Sequence, residues 1–119
     1  MTWVVDASNV IGSRPDGWWR DRAGATRRLV EQLDRFAGET GEPVIVVLDG
    51  GAPPPARHAE VVVARRRGRD AADDEIVALL RDRGAGGVRV VTSDAELARR
   101  VRELGAEVEG AGGFRRRLD

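Results

Sequence analysis

Three apolar runs dominate this chain, and each of them arrives at an aspartate. Trp3, Val4 and Val5 lead to Asp6, the run Val44 to Leu48 leads to Asp49, and Val88 to Ser93 leads to Asp94. The central run is apolar at every position rather than at every second one, so neither face of that strand suits water. Continuous β-branched runs of this kind belong in a parallel sheet covered on both faces. In an open α/β sheet, ligands bind beyond the carboxyl ends of the strands. The pattern therefore predicts acidic side chains gathered along one edge of one sheet. Carboxylates gathered in that way raise one another's pKa values unless a cation sits among them. A hard divalent ion is the cation whose chemistry fits oxygen donors.

Helical periodicity fills the intervals. Ala25 to Phe36 carries Leu29, Val30, Leu33 and Phe36 at helical spacing and stops near Gly38 and Gly41. A strand over Pro43 to Leu48 runs into a loop with Asp49, Gly50, Gly51 and Pro53 to Pro55. Glu60 to Ala64 reads as a short strand and is followed by a loop of arginines. Asp73, Asp74 and Glu75 open a helix that closes at Arg83 and Gly84, with acids in its first turn and arginine in its last, as the helix dipole favours. A strand over Val88 to Val91, a helix over Ala95 to Leu104 and a short strand over Ala106 to Val108 complete the pattern, and the tail from Gly110 to Asp119 shows no assignable element. Such alternation predicts a three-layer α/β domain with a central, mostly parallel sheet, and 119 residues suffice for one domain spanning 1–119.

Composition removes several chemistries. There is no cysteine, so disulfides, thiolate zinc sites and cysteine nucleophiles are excluded. No run approaches transmembrane length and no leader precedes the first strand, so a cytoplasmic protein is expected. Net charge is zero, yet the 20 basic residues are all arginine and they bunch, at Arg57 and Arg65, Arg66, Arg67 and Arg69, then at Arg115 to Arg117. Arginine suits bidentate phosphate contacts. The middle cluster reads equally as solvated surface charge or as a grip on an anionic polymer, whereas the terminal one reads as a solvated tail.

Each aspartate also has a purely structural reading. Asp73, Asp74 or Asp94 could cap a helix, and Asp49 before two glycines could serve a turn. Asp6 resists that reading, because no helix is evident directly after it. Receiver-type phosphoacceptor domains and haloacid-dehalogenase phosphatases also place aspartates at strand ends, but both need a lysine, and this chain has none. A P-loop is missing. The single histidine, His58, lies in a proline-rich loop that suits no catalytic triad. Metal-assisted phosphodiester hydrolysis, with carboxylates holding two ions about 4 Å apart, requires neither lysine nor histidine.

Four segments taken in order resemble the NYN branch of the PIN-like nucleases, near its YacP-like group: Val4 to Gly12, Val46 to Gly50, Ala72 to Ile76 and Val90 to Asp94. The resemblance implies a PIN-like fold and Mg²⁺- or Mn²⁺-dependent cleavage of RNA, as an endoribonuclease. It implies Asp6, Asp73 and Asp94 as metal ligands, Asn9 as an orienting residue, Thr92 and Ser93 as supports for Asp94, and Asp49 and Asp74 as lesser contributors. One departure stands out, since Ala7 occupies the position after the first aspartate where the family usually has glycine. Trp18 and Trp19 follow the Asn9 loop, where they could stack unpaired bases or pack beneath it. Two other classes stay open: a non-catalytic RNA-binding module, and a metal-dependent phosphatase or nucleotide hydrolase. The sequence is equally compatible with a monomer and a homo-oligomer.

Overall fold

Five short strands, all parallel, form one sheet in the order β3-β2-β1-β4-β5. The computed structural model describes residues 1–119. In chain order the elements are β1 (Thr2–Asp6), α1 (Ala7–Ile11), α2 (Arg22–Thr40), β2 (Val44–Leu48), β3 (Glu60–Val63), α3 (Ala71–Arg83), β4 (Val88–Val91), α4 (Ala95–Glu103), β5 (Glu107–Glu109) and α5 (Ala111–Leu118), with a 3₁₀ turn over Trp18–Arg20. No helix is long and apolar enough to cross a membrane.

Strand periodicity of two divides the core into two layers. Trp3 and Val5 of β1, with Val44, Val46 and Leu48 of β2, face α1, α2 and α5. Val4, Ile45, Val47, Val88 and Val90 face α3 and α4. The same parity puts Asp6 and Thr92 on the α3 side of the sheet. From β1 the chain winds outward through β2 to β3, then crosses back to β4 and β5. The winding direction therefore reverses between β1 and β4, and the two strand ends at this switch point are those of Asp6 and Asp94.

Sequence and structure differ where tertiary contacts outweigh local signals. A helix does follow Asp6 directly: α1 has only five residues, too few to display a helical period. Its first residue, Ala7, is buried in the core, and no non-glycine residue of the chain has a positive φ. The methyl group is thus accommodated, and the backbone there does not require glycine. α2 begins three residues earlier than its apolar pattern indicates, because Asp21 caps it by accepting the Gly24 amide at 2.9 Å.

The tail is not a solvated extension. Gly110 to Leu118 folds back as α5, where the fully buried Phe114 packs at 5.0 Å from Trp3 and 5.6 Å from Phe36. Two glycines within α5 depress its helix propensity, and aromatic packing overrides that weakness. Parallel strands β2 and β3 are joined without a helix. The connection is fastened to α2 by Asp34, whose Oδ1 accepts the amides of Arg57, His58 and Ala59 at 3.0, 2.6 and 2.8 Å. The His58 ring lies over Gly38, where an added Cβ would come within 2.9 Å of it.

Candidate functional site

Asp6 ends β1 and is 4% exposed, a rare position for a carboxylate with no cationic partner. Its one hydrogen bond of standard geometry comes from the Thr92 hydroxyl, which donates to Oδ2 at 3.2 Å. Thr92 is itself buried, and its oxygen accepts the Asp94 amide at 3.1 Å. One hydroxyl thus joins the two strand-end aspartates. Burial raises the pKa of Asp6. The Thr92 bond and the nearby Asn9 amide offset part of that rise, while the charges of Asp94 and Asp49 add to it.

Asp94 caps α4, accepting the Leu97 amide on Oδ1 at 3.0 Å. This helix cap occupies one oxygen and leaves Oδ2 without a hydrogen bond, so the structural and functional readings of Asp94 are compatible. Asp73 arrives from a different element, the first turn of α3. Burial pushes its carboxyl up to about 6, and repulsion from Asp6, Asp94 and Asp70 contributes, with Arg100 partly opposing. Three carboxylates from β1, α3 and the β4–α4 junction therefore share one electrostatic neighbourhood.

The other sequence candidates separate into distinct roles. Asp74 turns to Arg100 on α4, with a 3.1 Å ion pair. Asp49 is half-exposed beyond β2 and stands 4.0 Å from Arg22. Asn9 accepts the Ser93 amide on Oδ1 at 2.7 Å, tying α1 to the loop that carries Asp94. The Ser93 hydroxyl does not reach Asp94. It accepts the Ala111 amide at 2.9 Å and so holds the start of α5. Arg65 is engaged with Glu75 through its side chain at 3.2 Å, while Arg66, Arg67 and Arg69 are exposed. Trp18 packs against the core and Trp19 is 53% exposed.

Arg115, read from the sequence as part of a solvated tail, is instead a largely buried residue that shapes the site. Its guanidinium donates to the Val10 and Ile11 carbonyls at 2.9 and 3.2 Å and pairs with Asp16 at 3.0 Å. It therefore satisfies the open carbonyl end of α1, the short helix that begins directly after Asp6. Its position in a glycine-containing tail concealed it.

No three Asp, Glu or His side chains are arranged to enclose a metal ion by themselves. The donor set still fits a hard cation. All donors are oxygens, no lysine is present to neutralise them, and the carboxyl groups resist ionising together. Mg²⁺ keeps several waters and takes only one or two carboxylates along with substrate phosphates, so an open set of aspartates is the arrangement it uses.

Fold and site together define an open, doubly wound α/β domain with aspartates at its switch point. Residues 3–119 match the family model described as the YacP-like NYN domain, and the chain belongs to that family, a nuclease-like domain. No curated protein sequence matches it significantly. Among solved structures it is similar to Rae1 (YacP) from Bacillus subtilis, with a TM-score of 0.82 at 24% identity over 99% of this chain and 73% of that one. The W164L mutant of Rae1 gives a TM-score of 0.81 at 24% identity, covering 98% of this chain and 74% of the other. At that identity the likeness speaks for the fold.

Proposed function

We propose that this protein is a Mg²⁺- or Mn²⁺-dependent endoribonuclease, with Asp6, Asp73 and Asp94 as its metal-holding carboxylates. One observation supports the proposal: the Asp73 carboxyl is raised by the charges of Asp6 and Asp94 as well as by burial, in a chain without lysine whose only histidine lies in the β2–β3 connection. A domain that only bound RNA would gain nothing from acids that repel phosphate. Bound there, the ion would activate a water and stabilise charge on the departing oxygen.

The protein's own groups prepare that chemistry. Thr92 fixes the Asp6 carboxylate through Oδ2, leaving Oδ1 to coordinate. The cap to Leu97 likewise fixes Asp94 by one oxygen and presents the other. Asn9 holds the two loops at constant separation through the Ser93 amide.

Incubation with a labelled circular RNA and Mn²⁺ tests the proposal, since a circle can be opened only by internal cleavage. Linear product is expected with metal and none with chelator, and Asp94→Asn should lower the rate at least a hundredfold. Absence of cleavage, or cleavage indifferent to Asp94→Asn, would sink it.

A further inference from the structure

Between α1, α2 and the loop after β2 lies a groove of about 670 Å³ whose walls include Ser8, Trp18, Arg22, Arg27, Asp49 and Gly50. We infer that this groove carries single-stranded RNA to the carboxylates, with Arg22 and Arg27 on its phosphates and with Trp19, the exposed neighbour of the wall residue Trp18, stacking an unpaired base. The inference rests on the hydrolytic reading above and assigns the substrate path to α2 rather than to the arginine loop after β3.

Position supports this path. Ser8, in the helix that begins directly after Asp6, and Asp49, two residues beyond the Val47 that pairs with Asp6 in the sheet, both line the groove, so it opens at the sheet edge where Asp6 stands. Charge availability supports it too. Arg27 has no acidic partner, and the only partner of Arg22 is Asp49, at 4.0 Å between half-exposed groups. An ion pair of that kind is worth little and yields readily to a phosphate. The grooves flanking α3 are different. Arg65, Arg83 and Arg100 there are held by Glu75, Glu60 and Asp74, although Arg66 and Arg81 are unpaired, and no residue of the β1–α1 junction that carries Asp6 lines either groove.

The aromatic pair and the glycine complete the case. Arg22 lies 5.8 Å from the Trp18 ring centroid, Trp19 meets Trp18 edge-on at 5.9 Å, and Trp19 stays half-exposed with Arg20 at 6.0 Å from its own centroid. Aromatic faces bind bases only where the strand is unpaired. Gly50 has no positive φ, and a Cβ added there would meet nothing within 4 Å. The fold does not demand glycine at 50, but a bare backbone keeps the groove wall low beside Asp49.

The test measures binding of a fluorescein-labelled single-stranded oligouridylate to the full chain by anisotropy in chelator, over a range of salt concentrations. Arg22→Ala/Arg27→Ala should weaken binding at least tenfold and flatten the slope of log K against log salt by about 1.4, from roughly 0.7 per phosphate contact. Trp19→Ala should weaken it about tenfold, and a duplex of the same length should compete poorly. Arg66→Ala/Arg67→Ala is the rival arm and should cost less than threefold. Unchanged affinity in the Arg22/Arg27 variant, an equal loss in the rival arm, equal competition by duplex, or no binding by the wild type would each overturn the inference. The two readings fail separately. Binding that depends on Arg22 and Arg27 without any Mn²⁺-dependent cleavage removes the hydrolytic reading. Cleavage that needs Asp94 but keeps its KM in Arg22→Ala/Arg27→Ala removes the groove.

Discussion

Replacing Asp73 by asparagine should make the metal-free protein more stable at neutral pH while abolishing the proposed cleavage of RNA. The Asp73 carboxyl is pushed up to about 6 from an ordinary 3.8, first by burial and then by Asp6, Asp94 and Asp70. At 1.36 kcal/mol per pH unit, a rise of about two units would correspond to roughly 3 kcal/mol for a fully desolvated group. Asp73 is only part-buried, and solvent screening reduces the figure to about 1–2 kcal/mol. The sign follows from proton linkage. The folded chain binds this proton more tightly than the unfolded chain does, so the associated stability is complete below about pH 4 and is lost as pH rises through about 6. Asparagine has no proton to lose. Urea unfolding followed by circular dichroism in chelator should therefore show Asp73→Asn more stable by about 1–2 kcal/mol at pH 7.5, a midpoint higher by about 0.5–1 M. The gap should narrow at pH 4.5. On the proposed metal-dependent reading, Mg²⁺ should then stabilise the wild type more than the variant, which lacks one of the proposed donors. Equal or lower stability of Asp73→Asn at pH 7.5 in chelator would refute the electrostatic account of these aspartates.

Thr92→Val keeps the shape of a buried side chain but removes the one hydroxyl that links Asp6 to Asp94. Losing a hydrogen bond to a charged group should cost about 1.5–3 kcal/mol in urea unfolding, and cleavage should weaken even where the variant is fully folded. Asp34→Ala releases the three amides of the β2–β3 connection. It should lower stability by about 1–3 kcal/mol and speed hydrogen exchange at Arg57 to Ala59, with the cleavage rate per folded molecule unchanged. Phe114→Ala should cost about 3–5 kcal/mol, since its ring is fully buried against Trp3 and Phe36; an effect under 1 kcal/mol would mean that α5 is not part of the core.

Much of the architecture is local in origin and therefore legible in the chain. The runs ending at Asp6, Asp49 and Asp94 specify strands, their continuous apolar character specifies a two-sided sheet, and the helical intervals specify parallel crossovers. All five strands are indeed parallel. Two elements escaped for physical reasons. α1 is shorter than the period that would reveal it, and α5 owes its helix to the burial of Phe114 rather than to its glycine-containing sequence. Arg22 was hidden in a similar way, because α2 starts at a capping aspartate ahead of its apolar pattern.

The sequence by itself determined that Asp6 and Asp94 would stand at the carboxyl edge of one sheet, since strand direction and the position of an aspartate within a run are both local properties. Only the tertiary structure decided which further groups join them. Asp73 and Asp74 are neighbours in the same helical turn, about 100° apart around the axis, and nothing local distinguishes them. The docking of α3 across the switch point turns Asp73 toward Asp6 and Asp94 and gives Asp74 to Arg100. Likewise the parity of β4 places Thr92 on the α3 side, but only the pairing of β4 beside β1 makes its hydroxyl the bridge between two aspartates 88 positions apart in the chain.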